Sequence, residues 1–371
     1  MKFNVLKVSF MLTLIFFTLL INGIKAQPPA GYYNTAAGLK GQALQLALYN
    51  IIKGHSSESY GDLWTDFQTT DKKSNGKVWD MYSDIPGGTP AYEYTFGTNQ
   101  CGNYSGEGDC YNREHSWPKS WFNDASPMYT DLFHLVPTDG YVNGRRSNYP
   151  FGEVGTASWT STNGSKVGSC NFPGYSGTVF EPRDDFKGDF ARNYFYMATR
   201  YENVIANWEN YDSNGDAVMN GTAYPAFEPW VVSLLLSWHE ADPVSSKETA
   251  RNNAVYGIQG NRNPYIDHPE YAAFVWDPYV GTNEWKVSQV KLMVWPVPAS
   301  SQVSFILENY AASDQLKMAV TDLSGRIVLE KSVEVSQTVL VDDFYRLQSG
   351  FYMLTVTDHG KIIASAKLMK N

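Results

Sequence analysis

The sequence predicts an α+β chain: a largely helical domain followed by a small C-terminal β-sandwich. Three observations predict it. Apolar residues recur at helical spacing through the first two-thirds, as at Leu39, Ala43, Leu46, Ala47 and Ile51. A strand-like segment that stops at Pro118 lies between such windows. After about Trp285 the pattern changes to short alternating runs separated by turn residues.

In chain order, Lys2 and Lys7 flank a short positive region, a largely apolar run follows from Val8 to Ile21, and Ala26 precedes Gln27. The run is too short for a bilayer and reads as a cleavable secretion signal over 1–26. The mature chain is expected to start near Gln27, without stable membrane insertion. A helix is predicted over 38–53. Strands are predicted over 77–83 and 91–96, with Pro86-Gly87-Gly88 as turn material between them. Residues 111–118 read as a strand ending near His115. Helices are predicted over 138–148, behind Pro137, and over 188–208 and 229–240. Strands are predicted at 288–295, 317–322 and 351–356. These boundaries give a first domain over 27–287 and a sandwich over 288–371.

Hydrophobic residues make up 43% and charged residues 18% of the chain, enough for a sizeable core. The 15% aromatic content serves either that core or surfaces that stack on bases or sugars. A formal net charge of −9 counts against a passive, charge-driven nucleic-acid binder. It leaves room for an enzyme whose cleft is locally cationic or carries a metal ion. Of three cysteines, Cys101 and Cys110 bracket a short loop and are the first candidate disulfide; pairing with Cys170 stays open.

Two clusters carry chemistry. One is Asn112-Arg113-Glu114-His115-Ser116-Trp117-Pro118. The other runs from Asp131-Leu132-Phe133-His134 to Asn143-Gly144-Arg145-Arg146-Ser147-Asn148. Phosphodiester hydrolysis needs a base for water, a cation for the developing charge and a grip on phosphate. The histidine fits the first role, since its ordinary pKa is about 6.5. Glu114 and Asn143 are oxygen donors of the kind a hard cation takes. Arg146, and after it Arg145, present planar donor forks for phosphate. One geometric difficulty stands. Successive strand residues point to opposite faces, so Glu114 and His115 share a site only where the strand ends or bends.

Weaker signals are Asp212-Ser213-Asn214-Gly215-Asp216, which departs from the calcium-loop pattern and reads as a polar turn, and the Asn/Arg runs at 251–253 and 261–263. Asp267-His268-Pro269 is a remote metal candidate.

The stretch from Cys101 to Gly152 resembles the secreted endonuclease I family of bacteria. The strings that carry the resemblance are Gly106 to His115 (GEGDCYNREH) and Thr138 to Gly152 (TDGYVNGRRSNYPFG). It continues through Gly188 to Tyr201, Asp242 to Ser245 and Gln259 to Pro269, and so spans about Leu39 to Trp276. The resemblance implies a ββα-metal core with His115 as general base. Glu114 and Asn143 would hold Mg²⁺ or another divalent cation such as Mn²⁺ or Ca²⁺. Arg146 and Arg145 would act on the phosphate, Asp131 and His134 would orient the base, and Arg113 and Asn148 would contact substrate. Where family members often carry a second polar residue, Phe133 stands here and only His134 remains. The substrate is expected to be DNA, RNA or both, cut with weak sequence preference to leave 5′-phosphates.

The tail from Trp295 resembles the type IX secretion sorting domain, on Trp295-Pro296-Val297-Pro298, Asp322 to Arg326, Leu347 to Tyr352 and Lys367 to Lys370. It implies a secreted protein whose tail engages the secretion machinery. The alternatives are an RNA-restricted nuclease and, from another class, a secreted carbohydrate-binding or adhesion protein.

Overall fold

The computed structural model describes residues 28–277, 291–308, 310, 316–322, 325–333, 338–358 and 361–371. The expected secretion signal and the expected junction at 287/288 lie outside these residues. The chain divides into two compact units, Met1–Trp276 and Asp277–Asn371.

In the first unit the predicted N-terminal helix is α1 (Gly41–Ile52), followed by α2 (Leu63–Thr70). Strand β1 (Tyr111–His115) pairs antiparallel with β2 (Leu135–Asp139), with Glu114 opposite Val136 and His115 opposite Leu135. Helix α3 (Gly140–Arg146) follows β2 without a break, because the Asp139 side chain accepts from the backbone N–H of Val142 at 2.8 Å and caps it. These three elements form a ββα unit. The predicted helix over 138–148 therefore starts two residues later, its first residues being spent on β2.

A three-stranded meander comes next: β3 (Val154–Thr160), β4 (Lys166–Cys170) and β5 (Thr178–Glu181). Helix α4 (Lys187–Arg200) is buried at every one of its residues. Phe190, Tyr194, Phe195, Met197 and Ala198 supply its apolar contacts. Its cation Arg192 is matched by Glu248, by Asp189 and by the carbonyl of Asp242, as a buried charge requires. The predicted extension to residue 208 gives way to a short 3₁₀ turn, Ile205–Asn207. Around α4 stand α5 (Ser213–Asp216), α6 (Pro229–Ala241), α7 (Ser246–Gln259), α8 (Pro264–Asp267) and α9 (Glu270–Trp276). Pro229 opens α6 at the position where a missing N–H costs nothing, and Ser245 with Glu248 forms a capping box on α7.

The strands expected over 77–83 and 91–96 are absent. Val78 N–H does reach the Tyr94 carbonyl, but no ladder develops. The carboxylate of Asp80 instead accepts from the backbone N–H groups of Tyr82 and Asp139, folding the segment into a turn against β2. Alternating apolar residues there fill the core without strand pairing.

The second unit consists of β6 (Lys291–Trp295), β7 (Val303–Glu308), β8 (Leu316–Asp322), β9 (Ile327–Ser332), β10 (Val339–Val341), β11 (Gly350–Asp358) and β12 (Lys361–Lys370). They form two antiparallel sheets, β10-β7-β6 and β12-β11-β8-β9. Val303, Phe305, Val320, Leu354 and Val356 close one shared core between them, which makes the predicted β-sandwich. Among the described residues no helix is long and apolar enough to cross a membrane.

Candidate active site

A cleft of about 300 Å³ opens along the free edge and the end of β1. Tyr60, Arg113, Glu114, His115, Lys119 and Asn143 border it. The alternation problem is resolved by position: past Tyr111, β1 has a neighbour on one side only, so residues of both its faces reach the open edge.

Glu114 is 3% exposed. Its Oε1 accepts from the Tyr82 hydroxyl at 2.7 Å and from Arg146 Nη1 at 2.8 Å. Its Oε2 has no donor among the described residues and is not a sealed atom, which leaves it on the cleft wall. Burial pushes the carboxyl up to about 6, against the pull of the Arg146 charge and the Tyr82 hydroxyl. Asn143, one α3 turn before Arg146, donates from Nδ2 to Asn112 Oδ1 at 2.8 Å, which turns its own Oδ1 outward as an acceptor.

His115 is 5% exposed, with Nε2 3.0 Å from the Tyr129 carbonyl oxygen. A carbonyl only accepts, so this contact assigns the proton to Nε2 and leaves Nδ1 as the lone-pair nitrogen. Nδ1 has no partner among the described residues and is not sealed off. The ring lies under Tyr60, near-parallel at 6.2 Å, and beside Tyr129 and Phe122. Desolvation holds the imidazole well below its ordinary pKa, helped by His134, Lys119 and Arg113, while the Tyr129 carbonyl pulls the other way. Burial therefore favours the neutral form of the His115 ring.

Several sequence expectations change. Arg146, expected on phosphate, is 1% exposed. Its Nη1 donates to Glu114 Oε1 and to the His115 carbonyl, its Nη2 to the Ser116 carbonyl, and its Nε is buried without an acceptor. The guanidinium borders the cleft but ties down the end of β1, its Nη hydrogens spent on Glu114, His115, Ser116 and Tyr194. Arg145 is exposed and lies over the Trp159 ring, not among the residues bordering the cleft. Asp131 is buried and accepts from Tyr196, Tyr201 and Gln259, with no hydrogen bond to His115. His134 packs 5.5 Å from the His115 ring centroid but spends Nε2 on the Met128 carbonyl. The orienting group for His115 is thus a main-chain oxygen, which no residue type announces.

Arg113 stacks over Tyr60 and Trp64 and borders the cleft. Asn148 borders it too, braced by Asp212 and Asn214. Asp212 also takes the Ser120 hydroxyl, so the polar run at 212–216 is a strut between loops. Arg251 is paired with Asp71, and Arg262 with Asp267, which accounts for those runs structurally. Sequence reasoning missed Tyr82, Tyr60, Tyr129 and Lys119. Only Lys119, next to Trp117-Pro118, carried a signal. Cys101 and Cys110 form the disulfide, and Cys170 is free and buried.

Among the described residues no group of three His, Cys, Asp or Glu side chains could hold a metal. Two open oxygens, Glu114 Oε2 and Asn143 Oδ1, remain on the cleft. That sparse, all-oxygen set suits a hard cation that keeps most of its waters, such as Mg²⁺, and not a thiolate- or imidazole-seeking one.

Residues 40–270 match the family described as Endonuclease I, and residues 293–371 match the secretion system C-terminal sorting domain. An extracellular ribonuclease of Bacillus amyloliquefaciens is 36% identical over 250 residues, covering 66% of this chain and 78% of that protein. One from Bacillus subtilis (strain 168) is 36% identical over 254 residues, with the same coverage of 66% and 78%. An extracellular deoxyribonuclease of Aeromonas hydrophila is 26% identical over 198 residues, covering 53% and 68%.

Proposed function

This chain belongs to the endonuclease I family and is a secreted nuclease with a C-terminal sorting domain, and from that premise we propose that it hydrolyses phosphodiester bonds of DNA and RNA by metal-assisted attack of water. The observation that carries the reading is the meeting, in one cleft, of the His115 ring, its Nε2 held on the Tyr129 carbonyl, with the open oxygens of Glu114 and Asn143. Family membership removes the carbohydrate-binding or adhesion alternative.

His115 Nδ1 takes a proton from the attacking water. The positive charge that develops on the ring is stabilised through Nε2–H by the Tyr129 carbonyl, which also fixes the ring's orientation. Glu114 and Asn143 would hold the divalent ion, which supplies charge neutralisation at the scissile phosphate and the departing oxygen. Arg146 and Tyr82 hold Glu114 by one oxygen, so the other keeps its aim. With the phosphate-gripping role withdrawn from Arg146, Arg113 is the best placed cation for a neighbouring phosphate, and exposed Lys119 is the second. Water's oxygen stays on phosphorus and the 3′ oxygen leaves, so the products carry 5′-phosphates. The nucleophile is water, so no 2′-hydroxyl is needed and DNA and RNA are both substrates. Backbone contacts predominate, which gives weak sequence preference.

Plasmid nicking with Mg²⁺ is expected to proceed and to stop when EDTA is added in excess, with recovery on returning Mg²⁺. Full nicking in EDTA refutes the metal reading. Parallel digestion of matched DNA and RNA tests the substrate range, and cutting of RNA alone would establish the RNA-restricted alternative, which the relatives named ribonucleases favour.

We assign the type IX route to the tail and keep the domain boundary at 287/288. Deleting residues 290–371 is expected to retain the protein inside the producing cell while the purified remainder keeps its nuclease activity. Normal export with lost activity would reverse that assignment.

A further inference from the structure

A second cavity of about 530 Å³ lies on the other side of the Lys119–Phe122 turn from His115. Its walls include Tyr49, Lys53, Arg200, Trp208 and Tyr211, and among the described residues no acidic one borders it although the chain carries a net charge of −9. Arg200 is 8% exposed. Its Nε donates to His55 Nδ1 at 2.8 Å, its guanidinium lies over the Tyr201 ring, and among the described residues no carboxylate touches it. Nη1 and Nη2 have no protein acceptor and are not sealed off, so they face the cavity. A buried cation is ordinarily matched by a carboxylate. Here the nearest buried carboxylate, Asp131, is reached only through His55, whose Nε2 lies 3.9 Å from it, and the planar fork left open on the cavity side fits the oxygens of a phosphate.

The exposed Lys53 ammonium sits 5.2 Å over the Tyr49 ring at the rim, and Tyr211 is 52% exposed. Such an aromatic surface beside cations takes a nucleobase by stacking while the cations take its phosphate. The cavity is one ring away from the cleft. Phe122 lies 6.2 Å from the His115 ring and 5.8 Å from the Trp208 ring. Asn123 borders this cavity and Asp124 the cleft, and both have left-handed backbone with φ of 54° and 53°, so the chain turns sharply on the ridge between the two.

We propose that this cavity is a subsite for a nucleotide of the strand being cut, with its phosphate on Arg200 and Lys53 and its base on Tyr49 and Tyr211. The proposal rests on the nuclease reading and deepens it: the preferred substrate is a strand with single-stranded nucleotides flanking the scissile bond. The chemistry of the walls recognises any base, in keeping with weak sequence preference.

The test compares wild type with Tyr211→Ala and Lys53→Ala, whose exposed side chains contribute little to folding, and with Arg200→Lys, which keeps a charge and loses the fork. Anisotropy of a labelled single-stranded oligonucleotide in EDTA reads binding without cleavage. With Mg²⁺ present, the ratio of kcat/KM for that strand to kcat/KM for a dinucleotide reads the subsite during turnover. Each variant is expected to lower both affinity and ratio by roughly fivefold or more, the loss of about 1 kcal/mol of stacking or ion contact. Unchanged affinity and ratio in all three overturn the proposal. Wild-type protein that binds the strand through these residues yet cuts nothing when Mg²⁺ is supplied refutes the nuclease mechanism and leaves the subsite standing.

Discussion

Alanine in place of His115 is expected to lower the rate of strand cleavage by about 10²- to 10⁴-fold, the usual contribution of a positioned general base. Among the described residues bordering the cleft, no other side chain carries an imidazole. Glu114 has one oxygen committed to Tyr82 and Arg146, and Lys119 is tied to Asp124 at 2.6 Å. The measurement is initial rate on plasmid and on a long oligonucleotide, with a melting curve alongside, since the ring packs against Tyr129 and Phe122. A His115→Ala protein that cuts within a few-fold of wild type removes the imidazole from the mechanism.

The second large effect is on folding. Arg146→Ala is expected to cost about 3–5 kcal/mol in urea denaturation, because it strands the Glu114 carboxylate in the interior without its cation. It also releases the carbonyls of His115 and Ser116, so activity falls in the protein that remains folded. Arg145→Ala, on the exposed side of the same helix, is expected to stay within about 0.5 kcal/mol of wild type. Equal stability of the two variants would mean that the ion pair does not hold the end of β1.

The adjacent arginines also mark what could be read from the sequence. The strings around Glu114, His115 and Asn143 could be singled out because an imidazole and oxygen-bearing side chains fall close together in them, and the structure brings the three to one cleft. The roles of the two arginines were not. Arg146 follows Asn143 by three residues on α3 and shares its inward face, whereas Arg145 does not. Helical spacing held that distinction, but a pair of adjacent arginines does not by itself say which one is buried. Tyr82 lies thirty-two positions from Glu114, and no local pattern links them. The Tyr129 carbonyl belongs to the main chain, so its role depends on the path of the loop between β1 and β2. The misread strands at 77–83 and 91–96 show the same limit at the level of fold. Alternation there was real, but the Asp80 side chain captured the backbone N–H groups of Tyr82 and Asp139.

Helix α4, enclosed along its whole length, has a bearing on life outside the cell. An element with no wetted face cannot fray piecemeal. Its amide hydrogens exchange with solvent only when the surrounding helices part together. Attack by foreign proteases on that part of the enzyme must wait for the same rare event, so its survival after export is governed by how seldom the domain opens as a whole.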